Sequence, residues 1–450
     1  MILKPHHQMA VSHLMTHDDA ALFAGMGLGK TACTLLSFDG LRMLGLAKRA
    51  LIVAPLRVSV LTWPNEIEKW AETRHLKFAL LRNRAGMDAL RSESADVYLI
   101  NYERLPKLGE YLQTLPQSPF DTVIFDELTN AKNPGAKRIN RFRKQITSDR
   151  GVSRRWGLTG TPTPNSLMEV YAQIRLLDGG KRFGPSFGAF QQRFFEPTDY
   201  MQYNWVPRKG AEETIRAILS DIALSLPAEK YVDYPLPTVE DVAVALPEEA
   251  REVYDQLSKS LLAILEDESE VVALTAGALL QKLLQVTGGA VYREDQTVAI
   301  IHDAKLSKLA ELIDKTAGPV LVGCNYIHER DRILKRISGA VEFENTQEFL
   351  ARWNAGKIPV IVAHPKSLGH GLNMQHGGRE VIWYSLPFSS ELYDQFNARL
   401  VRSGQKEQVR IRRILSPDTA DDAVVEALRQ KDVGQRSLMN ALHNFKRLAS

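Results

Sequence analysis

Apolar residues are concentrated in short continuous runs that polar or glycine-containing turns separate. In the first 180 residues the runs lie at 20–25, 50–55, 97–101, 121–126 and 155–160. A second series begins near residue 317 and lies at 318–323, 358–364, 379–384 and 409–416. Several runs lack alternation between apolar and polar positions, which is typical of strands buried on both faces. Because helix-like stretches lie between the runs, the pattern predicts two α/β units, each with a parallel sheet covered by helices.

The segment between the two series has a different pattern. Residues 181–210 are rich in aromatic residues and glycine, whereas residues 248–286 carry apolar positions at three- and four-residue spacing, which predicts helices. We therefore expect a helical insertion and connector between the two sheets. The first lobe is predicted at 1–225, with the insertion starting at about residue 181. The second lobe is predicted at 226–450, with the connector and its helical segment running to about residue 300. The acidic cluster at 266–270 is expected to be a solvated bend.

The composition is that of a globular protein with more than one domain. The chain has 450 residues, of which 44% are hydrophobic and 24% are charged, and these values exclude a disordered or fibrous chain. Its two cysteines, Cys33 and Cys324, are too few for a disulfide framework or a cysteine-based metal site, so a reducing cytoplasm is expected. The first residues lack the pattern of a secretory signal, and no apolar run approaches the roughly 20 residues that span a bilayer. We expect neither export nor membrane insertion.

The sequence AGMGLGKT at 24–31 stands between an apolar run and a helical pattern. It contains three glycines, Gly25, Gly27 and Gly29. They let the backbone curl so that successive N–H groups face one concavity, which suits a triphosphate. Lys30 is then expected to reach the terminal phosphates of ATP, and Thr31 to ligate Mg²⁺. Gly-Lys-Thr alone also fits an ordinary strand-to-helix turn, and Ala24 replaces the first glycine of the general motif, but the strand–loop–helix setting favours nucleotide binding.

A second motif, VIFDELTN at 123–130, ends a buried apolar run in two carboxylates. Asp126 is expected at the carboxyl edge of the sheet beside the phosphate loop, where it can hold Mg²⁺ directly or through water. Glu127 is expected to direct the attacking water. Two carboxylates at the end of a buried strand are costly without a cation or hydrogen-bond partners, which favours a functional role.

Further segments complete an ordered series of motifs. They are LKPHHQ at 3–8, LIVAPLRVSVLTWPNEIEKW at 51–70, INYERL at 100–105, GLTGTPTPNS at 157–166, DAKLSKLAELI at 303–313, PVLVGCNYIHERD at 319–331, SLGHGLNMQ at 367–375 and DQFNARLVRSGQ at 394–405. In this order the chain resembles the superfamily-two helicase-like ATPases, and specifically their SWI/SNF-related branch of double-stranded-DNA translocases. The resemblance runs nearly end to end. It implies two tandem RecA-like lobes, ATP and Mg²⁺ as cofactors, and Gln8 as the residue that reads adenine, with a solvated surface glutamine as the alternative.

The segment at 394–405 is the most specific of these matches. Gln395, Arg399 and Arg402 are four and three positions apart, a spacing that predicts one face of a helix. Two guanidinium groups suit neutralisation of the charge on the departing γ-phosphoryl group, and Gln395 suits a hydrogen bond to the phosphate or to the attacking water. The resemblance thus implies an arginine-finger pair. A cationic helix face exposed to solvent is the alternative.

The sequence also departs from the family pattern. Thr129 stands where a histidine is usual in the acidic motif, so the link to the coupling motif at 157–166 is expected to be made differently. Large appended modules, such as chromatin-reading domains, are missing from the 450 residues. We therefore expect a minimal motor of bacterial or phage type.

Charge and histidine patterns bear on the partner and on metals. Because the net charge is only +4, any basic surface must come from local clusters, which lie at 137–155 and 399–413. These clusters suit tracking along backbone phosphates, with solvated helix faces as the alternative. Weak interleaving of aromatic residues favours duplex over single-stranded nucleic acid. Four histidines are expected at the surface of the first helix rather than in a metal site, namely His6, His7, His13 and His17.

Together these features predict a nucleic-acid-stimulated ATPase, and most specifically an ATP-dependent double-stranded-DNA translocase. It would hydrolyse ATP between two lobes that grip the DNA backbone alternately. A strand-separating DNA or RNA helicase remains an alternative, as does an ATP-gated clamp or loading module with little turnover. We expect a monomeric motor in the cytoplasm of a bacterial or phage-infected cell, associated with the nucleoid, without a membrane contact, and targeted by a protein partner or by the DNA itself.

Overall fold

The computed structural model describes residues 3–25, 27–131, 133–160, 167–197, 205–231, 234–265, 270–293, 295–368, 372–429 and 445. The chain divides into two units, Met1–Val232 and Asp233–Ser450. Each unit has its own parallel sheet.

The first unit contains the strands β1 (Asp19–Ala24), β2 (Ala50–Ala54), β3 (Phe78–Leu80), β4 (Val97–Asn101), β5 (Thr122–Asp126), β6 (Arg154–Thr159), β7 (Phe195–Pro197), β8 (Trp205–Pro207) and β9 (Ala223–Leu226). Its helices are α1 (Pro5–Thr16), α2 (Lys30–Met43), α3 (Trp63–Lys69), α4 (Arg84–Arg91), α5 (Leu105–Gln113), α6 (Lys137–Arg143), α7 (Glu169–Asp178), α8 (Phe187–Phe194), α9 (Ala211–Leu219) and α10 (Ala228–Tyr231). Seven strands form one sheet in the order β3-β4-β2-β5-β6-β1-β9, and every neighbouring pair is parallel. The remaining two strands, β7 and β8, pair as an antiparallel hairpin.

Burial on both faces explains why the apolar runs of this unit do not alternate. Every residue of β2, β4 and β5 is buried. Because successive side chains of a strand point to opposite faces, Ile52 and Val53 join different apolar cores, one on each side of the sheet. The five apolar runs predicted as strands are β1, β2, β4, β5 and β6. The edge strands β3 and β9 are only partly buried, and their weaker apolar pattern did not predict them.

The second unit contains the strands β10 (Thr238–Ala243), β11 (Ala290–Tyr292), β12 (Val298–Ile300), β13 (Val320–Gly323), β14 (Ala340–Glu342), β15 (Val360–Ala363), β16 (Glu380–Trp383) and β17 (Arg410–Leu415). Its helices are α11 (Glu248–Leu265), α12 (Glu270–Gly288), α13 (Ala304–Asp314), α14 (Ile327–Arg336), α15 (Gln347–Asn354), α16 (Ser390–Asn397) and α17 (Ala420–Arg429). A parallel six-stranded sheet has the order β10-β17-β16-β13-β15-β14, and β11 and β12 form an antiparallel hairpin. The four apolar runs of the second series are β13, β15, β16 and β17. The predicted fold class, two α/β units with parallel sheets, is confirmed.

The region between the two motif sets is largely helical, as predicted, and contains α8 to α12. It also supplies an edge strand to each sheet, because β9 pairs with β1 and β10 pairs with β17. The exposed pattern of β10 explains why its sequence did not predict a strand. Residues 266–269, most of the expected acidic bend, lie outside the described residues. In the part of the chain that the structure describes, no helix is both long and apolar enough to cross a membrane.

Candidate nucleotide site

The phosphate loop connects the end of β1 to the start of α2. Gly27 and Gly29 have φ angles of 79° and 72°, in the left-handed region that residues with a Cβ rarely adopt. Gly29 immediately precedes the first residue of α2. These glycines therefore let the chain turn tightly from the strand into the helix, as the sequence predicted. Met26 lies outside the described residues.

Lys30 folds back over the loop from the first position of α2. Its Nζ donates to the carbonyl oxygen of Ala24 at 2.6 Å and to that of Gly25 at 3.4 Å. Burial lowers the pKa of the Lys30 ammonium, while the negative charges of Glu127 and Asp126 act to raise it. The Lys30 ammonium therefore interacts electrostatically with both carboxylates. Thr31 follows it in the first turn of α2.

Asp126 is the last residue of β5, at the carboxyl edge of the sheet. β5 and β1 both pair in parallel with β6, so the ends of all three strands meet at this edge. Asp126 is 9% exposed, and its Oδ1 accepts a hydrogen bond from the backbone N–H of Glu127 at 3.0 Å. The acidic motif and the phosphate loop are therefore brought together by the strand order.

Glu127 leaves the strand in an unusual conformation. Its φ is 56°, although it is not a glycine, and such strained backbone is found most often where the surrounding structure imposes it. Burial raises the pKa of the Glu127 carboxyl, and the charge of Lys30 and a hydrogen bond from Thr129 lower it. The Thr129 hydroxyl donates to Glu127 Oε1 at 3.0 Å. Thr129, which stands where the family usually has a histidine, is therefore hydrogen-bonded to the second carboxylate of the acidic motif.

Two aromatic residues that sequence reasoning did not assign to this site support the acidic pair. The Tyr102 hydroxyl donates to the backbone carbonyl oxygens of Asp126 at 3.0 Å and Glu127 at 3.3 Å. The Trp63 indole donates to Asp126 Oδ2 at 2.9 Å. Both residues lie in segments that matched family motifs, but nothing in the spacing of those segments indicated these partners.

Helix α1 lies against the phosphate loop through a histidine. A Cβ added to Gly29 would come within 3.0 Å of His7 Nε2, so the imidazole packs directly on the loop. Gln8, predicted to read adenine, is exposed in the first turn of the same helix. The prediction that all four histidines lie at the surface is wrong for His6. This residue is buried, and the centroid of its ring lies 5.3 Å from that of the Tyr231 ring. No group of three or more His, Cys, Asp or Glu side chains suited to a metal ion is found among the described residues.

The coupling motif begins at the same sheet edge. Thr159 ends β6, and a Cβ added to Gly160 would lie 3.9 Å from Lys30 Nζ. The motif at 157–166 is thus adjacent to the phosphate loop as far as it is described. Residues 161–166, and residues 369–371 of the motif at 367–375, lie outside the described residues.

The candidate arginine fingers lie in the second unit, and their geometry differs from the prediction. Helix α16 ends at Asn397, so Arg399 and Arg402 are not on a helix face with Gln395; they lie in the turns that follow. The prediction of one helix face is wrong because Ala398 caps the helix. The arginines converge in another way, since Nη1 of Arg402 and Nη1 of Arg399 donate to the carbonyl oxygen of Leu372 at 2.7 and 3.4 Å.

These side chains are buried or partly buried. Arg399 is 4% exposed, and its Nε also donates to the carbonyl oxygen of Gln395 at 2.9 Å. Burial, together with the charge of Arg402, lowers the pKa of Arg399 to about 9, which still leaves the guanidinium charged at neutral pH. The Gln395 amide donates to Glu391 Oε1 at 2.9 Å. The segment thus holds two cations close together, since both guanidinium groups donate to the same carbonyl oxygen.

Most of the basic residues in the two runs at 137–155 and 399–413 form bonds to other groups of the protein. In the second run, Arg410 and Arg412 both bond Glu380, and Arg413 bonds Asp241. In the first run, Arg155 pairs with Asp19 at 2.7 Å. Four cations of the first run are exposed. Three of them lie on α6 and form no ion pair with a described acidic residue, namely Lys137, Arg138 and Arg141, and the fourth, Lys144, caps the end of that helix. The run at 399–413 therefore offers far less free positive charge than its composition indicated.

Comparisons with known proteins give a consistent result. The sequence profile of the SNF2-related domain matches residues 7–287. The protein p41 of Acyrthosiphon pisum secondary endosymbiont phage 1 is 35% identical over 456 residues, covering 98% of this chain and 98% of p41. The DNA repair and recombination protein RAD54B of Gallus gallus is 24% identical over 489 residues, covering 94% of this chain and 51% of RAD54B. The chain thus spans nearly all of p41 but about half the length of RAD54B.

A solved structure supports the fold. The Pyrococcus furiosus Hef helicase domain superposes with a TM-score of 0.61 at 14% identity, covering 95% of this chain and 98% of that one. At that identity the likeness concerns the fold alone. The profile match spans more than half of the 450 residues, and the motif order had predicted the same family. The chain belongs to the SNF2-related family of helicase-like ATPases.

Proposed function

We propose that this SNF2-family ATPase is an ATP-dependent translocase on double-stranded DNA. The observation that carries the proposal is the gathering of Lys30, Asp126 and Glu127 at one edge of the first sheet, next to a glycine loop in left-handed conformation. A cation for phosphates, a carboxylate for Mg²⁺ and a second carboxylate for water are the parts that phosphoryl transfer to water requires. We further propose that the units Met1–Val232 and Asp233–Ser450 correspond to the two motor lobes.

The residues of the first unit fit ATP and Mg²⁺. The triphosphate is assigned to the loop backbone at Gly25, Gly27 and Gly29, to Lys30 and to the positive end of α2. Thr31 and Asp126 supply the hard oxygen ligands that Mg²⁺ prefers. When bound, Mg²⁺ neutralises charge on the phosphate oxygens. Gln8 is assigned to the adenine ring, since α1 lies beside the loop through His7.

Glu127 is assigned to the attacking water. Its carboxyl must be ionised to accept a proton or to orient water, and Lys30 and Thr129 favour that ionised form against the effect of burial. Gln395, Arg399 and Arg402 of the second unit are assigned to the γ-phosphoryl group during turnover. Two guanidinium groups stabilise the charge that spreads over its oxygens as the bond to the leaving phosphate breaks.

Double-stranded DNA is assigned as the track. The exposed cations of α6 suit contacts with backbone phosphates, and such contacts do not read sequence. The name of RAD54B, a DNA repair and recombination protein, adds support for DNA over RNA. A monomeric motor that associates with the nucleoid and is targeted by a protein partner or by the DNA itself completes the proposal.

The steady-state ATPase rate with different nucleic acids tests this assignment. We expect blunt duplex DNA to stimulate the rate at least about tenfold, and single-stranded DNA and RNA much less. Stronger stimulation by single strands would favour the strand-separating helicase. The ATP-gated clamp is tested by Glu127→Gln: a clamp that switches on binding would keep its ATP-dependent DNA activity in this variant, whereas a translocase loses it.

A further inference from the structure

Trp63 makes a buried contact with the carboxylate assigned to Mg²⁺. Its side chain is 0% exposed, and its Nε1–H donates to Asp126 Oδ2 at 2.9 Å. The other carboxylate oxygen, Oδ1, accepts from the backbone N–H of Glu127. Each oxygen of Asp126 therefore has a donor that fixes its direction.

The backbone before Trp63 explains how the indole reaches this position. The chain leaves β2 at Ala54 and makes a π-helical turn, Val58–Thr62, before α3 begins at Trp63. The backbone N–H of Trp63 bonds the carbonyl oxygen of Val58, five residues earlier. Wide turns of this kind are rare and are often found at functional sites. Because β2 pairs directly with β5, the turn after β2 lies beside the end of β5 and can aim the indole at Asp126.

The group that accepts the indole hydrogen bond distinguishes Trp63 from the other fully buried tryptophans. Among the described residues, the tryptophans that are fully buried are Trp63, Trp156, Trp353 and Trp383. The indoles of the last three donate to neutral oxygens, namely the carbonyls of His17 and Met374 and the side-chain amide of Asn397. Only Trp63 of this group donates to a carboxylate.

We propose that Trp63 is a positioning residue for Mg²⁺, which holds the Asp126 carboxylate in the orientation that binds the ion. This inference rests on the proposed function, because it requires Asp126 to hold Mg²⁺. An indole N–H suits the task chemically: it donates one hydrogen bond, it has no lone pair that could take a place on the metal, and it carries no charge that would repel a cation. Outer contacts of this type commonly change metal affinity by about 10- to 100-fold when removed.

Trp63→Phe tests the inference, since phenylalanine keeps an aromatic ring but lacks the N–H group. Binding of a fluorescent ATP analogue is measured across a Mg²⁺ titration and in EDTA. We expect the half-saturating Mg²⁺ concentration to rise about tenfold, while affinity in EDTA stays within about twofold of wild type. The matched control is Trp156→Phe, which removes the N–H of a buried indole elsewhere in the same unit and should change neither value.

A second variant covers the case in which Trp63→Phe fails to fold. Benzothienylalanine at position 63 replaces the indole N–H with sulfur in a ring of nearly the same shape, and it should give the same rise in Mg²⁺ requirement. A Mg²⁺ requirement within about twofold of wild type in a folded position-63 variant would overturn the inference. Asp126→Asn separates this from failure of the proposed function: if nucleotide binding by wild type ignores Mg²⁺, or if Asp126→Asn keeps the Mg²⁺ requirement of wild type, the assignment of Asp126 itself is wrong.

Discussion

The phosphate loop of the first unit and the arginine segment of the second, residues 398–405, hold their charges in different ways. In the first, the cation Lys30 lies within electrostatic reach of two carboxylates, and the site forms where β1 and β5, which flank β6 in the parallel sheet, end at the same edge. In the second, Arg399 and Arg402 follow the end of a helix, and their guanidinium groups share one backbone carbonyl, that of Leu372.

This difference indicates that the two regions contribute differently to nucleotide binding and hydrolysis. The first site already holds together the cation proposed to bind the phosphates and the two carboxylates proposed to bind Mg²⁺ and to direct water. In the arginine segment, both guanidinium groups donate to one backbone carbonyl, a neutral acceptor, whereas an anionic phosphate is a stronger acceptor for a guanidinium group. We expect changes in the first site to affect nucleotide binding and hydrolysis, and changes in the second to affect hydrolysis alone.

Lys30→Ala should have the largest effect. Removing the only loop cation assigned to the phosphates is expected to lower the ATPase rate at least about 100-fold and to weaken nucleotide binding. The melting temperature should stay within a few degrees of wild type, because the lost bonds are to two loop carbonyls. Lys48→Ala, at an exposed lysine of the same unit, is the control. Wild-type turnover in Lys30→Ala would refute the site.

Arg402→Ala should separate catalysis from binding. We expect kcat to fall about 100-fold and nucleotide affinity to change by less than about threefold, because the guanidinium is assigned to the transition state. Lys406→Ala removes an exposed cation of the same region and should have little effect. If affinity and kcat fell by equal factors, the proposed division between the two units would be wrong.

Charge reversal on α6 tests whether the exposed cations of this helix contact DNA. The combined variant Lys137→Glu, Arg138→Glu and Arg141→Glu should raise the DNA concentration for half-maximal stimulation at least about tenfold and leave the ATPase rate without DNA unchanged. Its control reverses three exposed cations elsewhere in the first unit: Lys48, Arg84 and Lys209. An equal effect of both triple variants would show that only net charge matters.

Thr129→Val should have a smaller effect with a distinct pH signature. It removes a hydrogen bond that lowers the pKa of Glu127, so that pKa rises further and less carboxylate is ionised near neutral pH. A bond worth about 1 kcal/mol corresponds to a fall of about fivefold in kcat at pH values below the pKa of Glu127, and to little change well above it. The acidic limb of the pH–kcat profile should move to higher pH, and Thr129→Ser should restore it. An unchanged profile in Thr129→Val would remove Glu127 from the ionisation that limits turnover.

How much the sequence predicted depended on whether the signal was local. The central strands and the phosphate loop follow from residues adjacent in the chain, and the parallel order of the strands then places Asp126 beside Lys30. The contacts of Trp63 and Tyr102 with the acidic pair join residues 63 and 24 positions apart, and no local pattern carries them. Spacing misled for Arg399 and Arg402, because helix α16 ends before them.

The sequence also did not show which residues of the basic runs are exposed. Composition counts every arginine equally, but Arg412 is 7% exposed and bonds Glu380, whereas Arg141 on α6 is exposed. Buried arginines need partners inside the protein, and those partners come from strands distant in sequence. The positive surface could therefore be located only after the sheets were assembled.

Displacement of a third strand from a blunt DNA duplex is the decisive measurement of translocation, because it reports movement along the duplex without requiring strand separation. We expect wild-type protein with ATP and Mg²⁺ to release the third strand while the duplex stays intact, and Glu127→Gln not to release it. If wild type failed to release the strand under conditions in which duplex DNA stimulates its ATPase, the protein would not be a duplex translocase.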